Sequence, residues 1–165
     1  MKKMTPCLWF DGNAEEAVKF YASIFKKSKI GRIARFGKEG FEIHGRKAGT
    51  VLTVEFDLNG QSFVALNGGP QFKFNEAVSF QVFCKTQKEI DYYWTKLSAG
   101  GDERAQQCGW LKDKFGLSWQ VVPSVLGSWM TDKDLRKSDR VMKALLLMKK
   151  LNLKGLQKAY KGKPS

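Results

Sequence analysis

One histidine, three cysteines and four prolines are spread over 165 residues, and these scarcities exclude much before any positive feature is read. His44 alone cannot build a His-rich metal site, and no Cys/His relay is readable. Cys7, Cys84 and Cys108 are odd in number and widely spaced, with no Cys-x-x-Cys pair, so neither a disulfide framework nor a zinc site is indicated. No Gly-x-Gly-x-x-Gly occurs: Gly100-Gly101 follows a helical pattern, and Gly68-Gly69-Pro70 leads into Gln71-Phe72-Lys73-Phe74. The glycine-rich strand-to-helix turn that cradles nucleotides and nucleotide-like methyl donors is therefore not found. The longest apolar run, Ala144 to Met148, falls far short of the ~20 residues a membrane-spanning helix needs. Met1 to Asp11 has a charged tip but no sustained apolar region and no small-residue cleavage site, so a cytoplasmic protein with no membrane partner is expected.

What is present is core material and positive charge. At 42% hydrophobic and 13% aromatic residues the chain is unlike disordered sequences, and its length suits one compact domain. The net charge of +13 is unevenly placed. Residues 132–165 hold eleven Lys/Arg and three Asp/Glu, a net +8, leaving +5 for the first 131 residues. That tail reads as helix: Val141, Ala144, Leu145, Met148 and Leu151 recur at three- and four-residue steps, and a second helical stretch runs from Leu153 to Tyr160. Residues 131–165 are thus expected to form a basic helical extension docked on the domain or on a partner subunit. Association of the tail with nucleic acid or another anion is the alternative, and nucleic acid is not the expected partner.

Residues 1–130 contain an internal repeat, with modules of about 1–70 and 71–130. Cys7-Leu8-Trp9-Phe10 has strand composition, and Asn13-Ala14-Glu15-Glu16 opens a helix with Ala17, Phe20, Tyr21 and Ile24 on one face. Phe80-Gln81-Val82-Phe83 alternates likewise, and Thr86-Gln87-Lys88-Glu89 opens a helix carrying Ile90, Tyr93, Trp94 and Leu97. Each start has a capping-box pattern, Asn13 with Glu16 and Thr86 with Glu89. The module ends also match: Gly60-Gln61-Ser62-Phe63-Val64-Ala65-Leu66 beside Gly116-Leu117-Ser118-Trp119-Gln120-Val121-Val122. Strands are further expected over Ile30–Phe36, Val51–Leu58 and Gln106–Lys112, and Gly37–Gly49 reads as a long hairpin loop. Each module therefore reads βαβββ. Two such modules predict an α+β fold with a curved mixed sheet around a cleft, plus C-terminal helices.

These residues resemble a known family. The duplicated βαβββ plan is similar to the vicinal oxygen chelate superfamily, that of glyoxalase I, bleomycin- and fosfomycin-resistance proteins and extradiol dioxygenases. Leu8-Trp9-Phe10-Asp11-Gly12-Asn13-Ala14-Glu15-Glu16-Ala17, Phe63 through Pro70, Cys108 through Asp113 and Gly116 through Pro123 resemble its PhnB-like branch, whose domain carries the label 3-demethylubiquinone-9 3-methyltransferase. The resemblance is taken to cover essentially the whole chain, the basic helices included. It implies a homodimer binding a small molecule in the cleft, with enzymatic transformation of lyase, dioxygenase or methyltransferase type as the alternative. In the superfamily a divalent metal is held by residues of the first and last strands of each module. Carried over, those positions are Pro6, Val64, Ser79 or Phe80, and Gln120. Only Gln120 could be a ligand, so no metal and no other cofactor is expected.

Candidate cleft residues follow from strand position. Trp9, Trp110 and Trp119 either fill the core or stack on a flat ligand. Gln81 and Gln120 face the cleft if the apolar residues of their strands face outward, and a one-residue shift of register would reverse that. Cys108, flanked by Gln107 and Trp110, is the one cysteine considered for the site; the others read as small buried hydrophobes. General acid/base chemistry would fall to carboxylates, with Asp11, Glu55 and Asp113 as candidates. No catalytic residue is identified.

Overall fold

Val51–Leu58 and Gln61–Asn67 form an antiparallel hairpin closed by Asn59-Gly60, both at positive φ (48° and 86°), as a two-residue turn of matching twist requires. This hairpin is the centre of the first of two units, Met1–Phe74 and Asn75–Ser165, into which the chain divides in a computed structural model that describes residues 4–163. The first unit runs β1 (Cys7–Phe10), α1 (Ala14–Ile24), β2 (Ser28–Arg35), α2 (Phe41–His44), β3 (Val51–Leu58) and β4 (Gln61–Asn67), with sheet order β1-β4-β3-β2. The expected Gly37–Gly49 loop thus contains one short helical turn, bracketed by Gly40 and Gly45 in left-handed conformation.

Alternation decides the faces. Leu8, Phe10, Val54, Phe56, Leu58, Phe63 and Ala65 are buried, as are Ala14, Ala17, Val18, Tyr21 and Ile24 of α1, which packs on this side of the sheet. Trp9, Glu55, Asp57, Ser62, Val64 and Leu66 alternate to the opposite side. The start of α1 differs from expectation. Asn13 makes no side-chain cap bond, its backbone (φ −109°, ψ 18°) being outside the extended region that aims a cap. Instead Asn67, 5% exposed at the end of β4, accepts from Ala14 N at 3.0 Å, so a strand residue 53 positions away satisfies the helix.

The second unit runs β5 (Ser79–Cys84), α3 (Gln87–Ser98), a 3-10 turn (Glu103–Ala105), β6 (Trp110–Lys112), β7 (Ser118–Pro123), α4 (Leu126–Met130), α5 (Leu135–Leu146) and α6 (Leu153–Tyr160). Its sheet has the order β5-β7-β6. The duplication is visible in the pairing: the first strand of each unit lies parallel to its last, β1 to β4 and β5 to β7. The capping box of Thr86 and Glu89 is complete. The second unit, however, has two strands after its helix, not three. Gly100-Gly101-Asp102 has no alternating apolar residues; Gly100 turns at φ 75° and Asp102 caps the 3-10 turn. The expected Gln106–Lys112 strand is a small hairpin about Cys108-Gly109, with only Trp110–Lys112 extended.

The basic tail docks within this same unit. Val122, Trp129, Val141, Leu151 and Leu156 form one buried cluster, joined by Ala144, Leu145 and Met148 from the expected apolar stripe. Trp129 stacks on Tyr160 at 5.4 Å, and the Tyr160 hydroxyl donates to Asp132, whose carboxyl is held below its usual range chiefly by that bond. Arg140 closes the end of α6 by donating to the carbonyls of Ala159 and Tyr160, both at 2.9 Å.

Candidate functional site

In the second unit α3 packs on the sheet, over the side bearing Val82, Cys84, Leu111, Trp119 and Val121, all buried. Ser79, Gln81, Phe83, Trp110 and Gln120 alternate to the other side, where Phe83 is 63% exposed. Register brings the polar members together: Gln81 faces Gln120 on the neighbouring parallel strand, and Trp110 faces Gln120 from the antiparallel one. Gln81 Nε2 donates to Gln120 Oε1 at 3.2 Å, and Gln120 Nε2 donates to Ser79 Oγ at 2.8 Å. This chain leaves the Ser79 hydroxyl hydrogen and the Gln81 side-chain carbonyl without a partner among the described residues. One end therefore donates and the other accepts, beside the half-buried Trp110 indole. Ser118, beside Ser79 in the register, is fully buried, and its hydroxyl has no partner among the described residues.

The remaining sequence candidates are placed elsewhere. Trp119 lies on the α3 side, 3% exposed, donating Nε1 to Asp113 Oδ2 at 2.8 Å and tilted against Phe80 at 5.7 Å. Its neighbour Gln120 takes the open face because successive strand residues alternate. Trp9, in the first unit, donates Nε1 to Gly69 O at 2.8 Å and meets Phe72 edge-on. A Cβ on Gly68 would come within 2.2 Å of its ring, so the indole lies against the bare backbone of the Gly68-Gly69 turn. Cys108 is the first central residue of the hairpin turn before β6, at φ 52° with Gly109 at 86°. Its amide donates to Met148 O (2.7 Å) and that of Gly109 to Lys149 O (2.8 Å), which fastens the α5–α6 connection to the sheet.

None of the three carboxylates considered for proton transfer is poised for it. Asp11 is paired with Arg46 at 2.7 Å and Glu55 with Arg32 at 2.8 Å. Asp113, 2% exposed, accepts from the amides of Phe115 and Leu117 and from Trp119, which makes it the organiser of the turn into β7. His44 is the last residue of the short α2 turn, not a loop residue as its surroundings in the sequence suggest: its Nδ1 accepts from Arg46 N, and Nε2 then donates to Glu39 O.

Burial pushes the Cys84 thiol up to about 12 from 9.0, with Glu89 adding to the effect. The native chain keeps this proton where the unfolded chain releases it, so stability is undiminished below pH 9 and falls as pH climbs toward 12. Iodoacetamide at pH 8 is expected to modify the exposed Cys7 before Cys84 in native protein, with peptide mapping as the readout. Equal labelling of the two would show that Cys84 is not held in the core.

The superfamily metal is not matched by the residues at its positions. Pro6 and Val64 carry no ligand atom, and the Ser79 and Gln120 oxygens already accept hydrogen bonds from neighbouring amides. No group of three or more His, Cys, Asp or Glu side chains suited to a metal occurs among the described residues. Ser79, reached from the sequence only as a metal position, instead ends the amide chain. The signal for it was the strand register, which no single strand reveals.

Three similarities bear on this arrangement. The profile of the 3-demethylubiquinone-9 3-methyltransferase family matches residues 2–122, a match that ends before α4 and so does not include the C-terminal helices. The structure of a PhnB protein from Bacillus cereus is 38% identical, covering 74% of this chain and 99% of its own, with a TM-score of 0.64. The fosfomycin resistance protein FosX from Mesorhizobium loti is 11% identical, covers 80% of this chain and 100% of its own, and shares the fold at a TM-score of 0.53. No curated protein matches the chain.

Proposed function

Because the chain belongs to the 3-demethylubiquinone-9 3-methyltransferase family, the PhnB-like branch of the vicinal oxygen chelate superfamily, we propose that it binds a small, uncharged, partly planar molecule without a divalent metal. The observation that carries this reading is the Gln81–Gln120–Ser79 hydrogen-bond chain on the open side of the second sheet. Its free ends are one hydroxyl donor and one amide acceptor, held two residues apart on β5 beside an indole. Neutral groups of this kind select a ligand by hydrogen-bond pattern, and Trp110 supplies a flat apolar wall. In this reading the protein acts in the cytoplasm as a homodimer, as the superfamily resemblance implies. Methyl transfer has only the family's description in its favour, since the chain offers no glycine-rich turn for the donor.

Native mass spectrometry of protein purified from its own host is expected to show one small molecule bound per chain. Gln120→Ala removes the residue that links both ends of the polar row. At roughly 1 kcal/mol for each hydrogen bond lost, it should weaken binding about tenfold or more. Retention of the same ligand at unchanged affinity in the variant would place the site elsewhere. Tight S-adenosylmethionine binding, or stoichiometric divalent metal in the purified protein, would overturn the reading itself.

A further inference from the structure

At one end of the first unit's sheet, where β2 and β4 finish, β3 begins and α1 starts, a cavity of about 520 Å³ is lined by Gly12, Glu15, Arg35, Arg46, Lys47 and Thr50 among others. The polar groups around it separate into those already matched and those left over. Glu15 holds Lys19 at 2.7 Å, and Asp11 holds one amino group of Arg46 at 2.7 Å. Thr50 donates its hydroxyl to Lys47 O, while the Asn67 amide is used at Ala14 and Val51. What remains is cationic. Lys47 has no ion-pair partner among the described residues, and Arg35 gives one bond to Gly49 O at 3.0 Å and otherwise acts on Glu15 only through its field. Arg46 lies over the bare backbone of Gly12, where a Cβ would stand 3.7 Å from its Nη1.

We infer that this cavity is a second binding site, one that takes a small molecule bearing a multiply charged oxyanion, through Arg35, Arg46 and Lys47. Two guanidinium groups present paired N–H donors that match phosphate or carboxylate oxygens, and an ammonium adds a compact third charge. A concave wall concentrates the field of these charges. The site lies wholly within the first unit and does not depend on the polar row of the second.

The test is a calorimetric titration of the full chain with pyrophosphate and, separately, with citrate, at constant ionic strength set by sodium chloride. Saturable binding of one pyrophosphate or one citrate per chain is expected, and the preferred probe identifies the source of the oxyanion as phosphate or carboxylate. Arg35→Gln/Lys47→Gln, at two exposed positions, should raise the dissociation constant at least tenfold while leaving the urea midpoint unchanged. Lys154→Gln/Lys158→Gln, which removes two tail charges instead, should leave binding as it was. Non-saturable binding, equal weakening by both pairs, or no weakening by the first would overturn the assignment.

Discussion

Asp113→Ala is expected to lower folding stability by about 3 kcal/mol, which urea titration should show as a lower midpoint at unchanged slope. The carboxylate is 2% exposed, and Oδ1 accepts from Phe115 N at 2.8 Å and Leu117 N at 3.1 Å, while Oδ2 accepts from the Trp119 indole at 2.8 Å. Alanine removes the carboxylate that two backbone donors and one indole donor share, and each such buried hydrogen bond lost costs about 1 kcal/mol or more. The loss reaches the site, because these three bonds fix the turn from which β7 carries Gln120 to the open face. Asp113→Asn discriminates between charge and shape. Its amide oxygen can replace Oδ1, but its NH2 would then confront the Trp119 N–H, so it should recover only part of the loss. Trp119 fluorescence should shift to the red in both variants. A loss below 1 kcal/mol in the alanine variant would show that the turn is held by other contacts.

Gly101→Ala should cost about 2–3 kcal/mol, although Gly101 is not at positive φ. A Cβ there would stand 2.0 Å from Lys112 O and 3.2 Å from the Asp113 carbonyl carbon. These are backbone atoms of β6 and the Asp113 turn, so no side chain can swing away; either the strand or the 100–102 turn must move. Its neighbour Gly100 offers the contrast. At φ 75° it meets only Lys114 Cβ at 3.4 Å, so Gly100→Ala bears mainly the left-handed penalty of about 1–2 kcal/mol. The ranking Gly101 above Gly100 in paired urea titrations checks that close approach, not backbone angle, is decisive here; the reverse ranking would refute it. Because Gly101 and Asp113 support the same turn, the double variant should fall short of the summed losses.

Local pattern made much of the fold legible. The spacing of Ala14, Ala17, Tyr21 and Ile24 and the alternation of β3 and β4 required only helix and strand periodicity. The Thr86–Glu89 capping box could be read because both partners lie within one turn. The same pattern at Asn13–Glu16 did not form, since a buried side chain from β4 was better placed to satisfy Ala14. Likewise nothing local marks Gly101 as a close-contact position or Cys108 as a left-handed turn residue. Both follow from what lies opposite them in the folded unit.

For the site, the sequence alone determined the residue types and the odd-even choice on each strand: Gln81 with Ser79, and Gln120 opposite to Trp119. At the positions that the resemblance assigns to the superfamily's metal, Pro6, Val64, Ser79 or Phe80, and Gln120, the sequence has no histidine or carboxylate. Only the tertiary structure decided which side of each strand is open, because that depends on where α3 packs. It alone joined Gln81, Gln120 and Ser79, residues up to 41 positions apart, since hydrogen bonds between strands depend on register. The tail's +8 was countable from the letters, but its docking through Val141, Leu151 and Leu156 depended on a buried surface that exists only once β7 and α4 are in place.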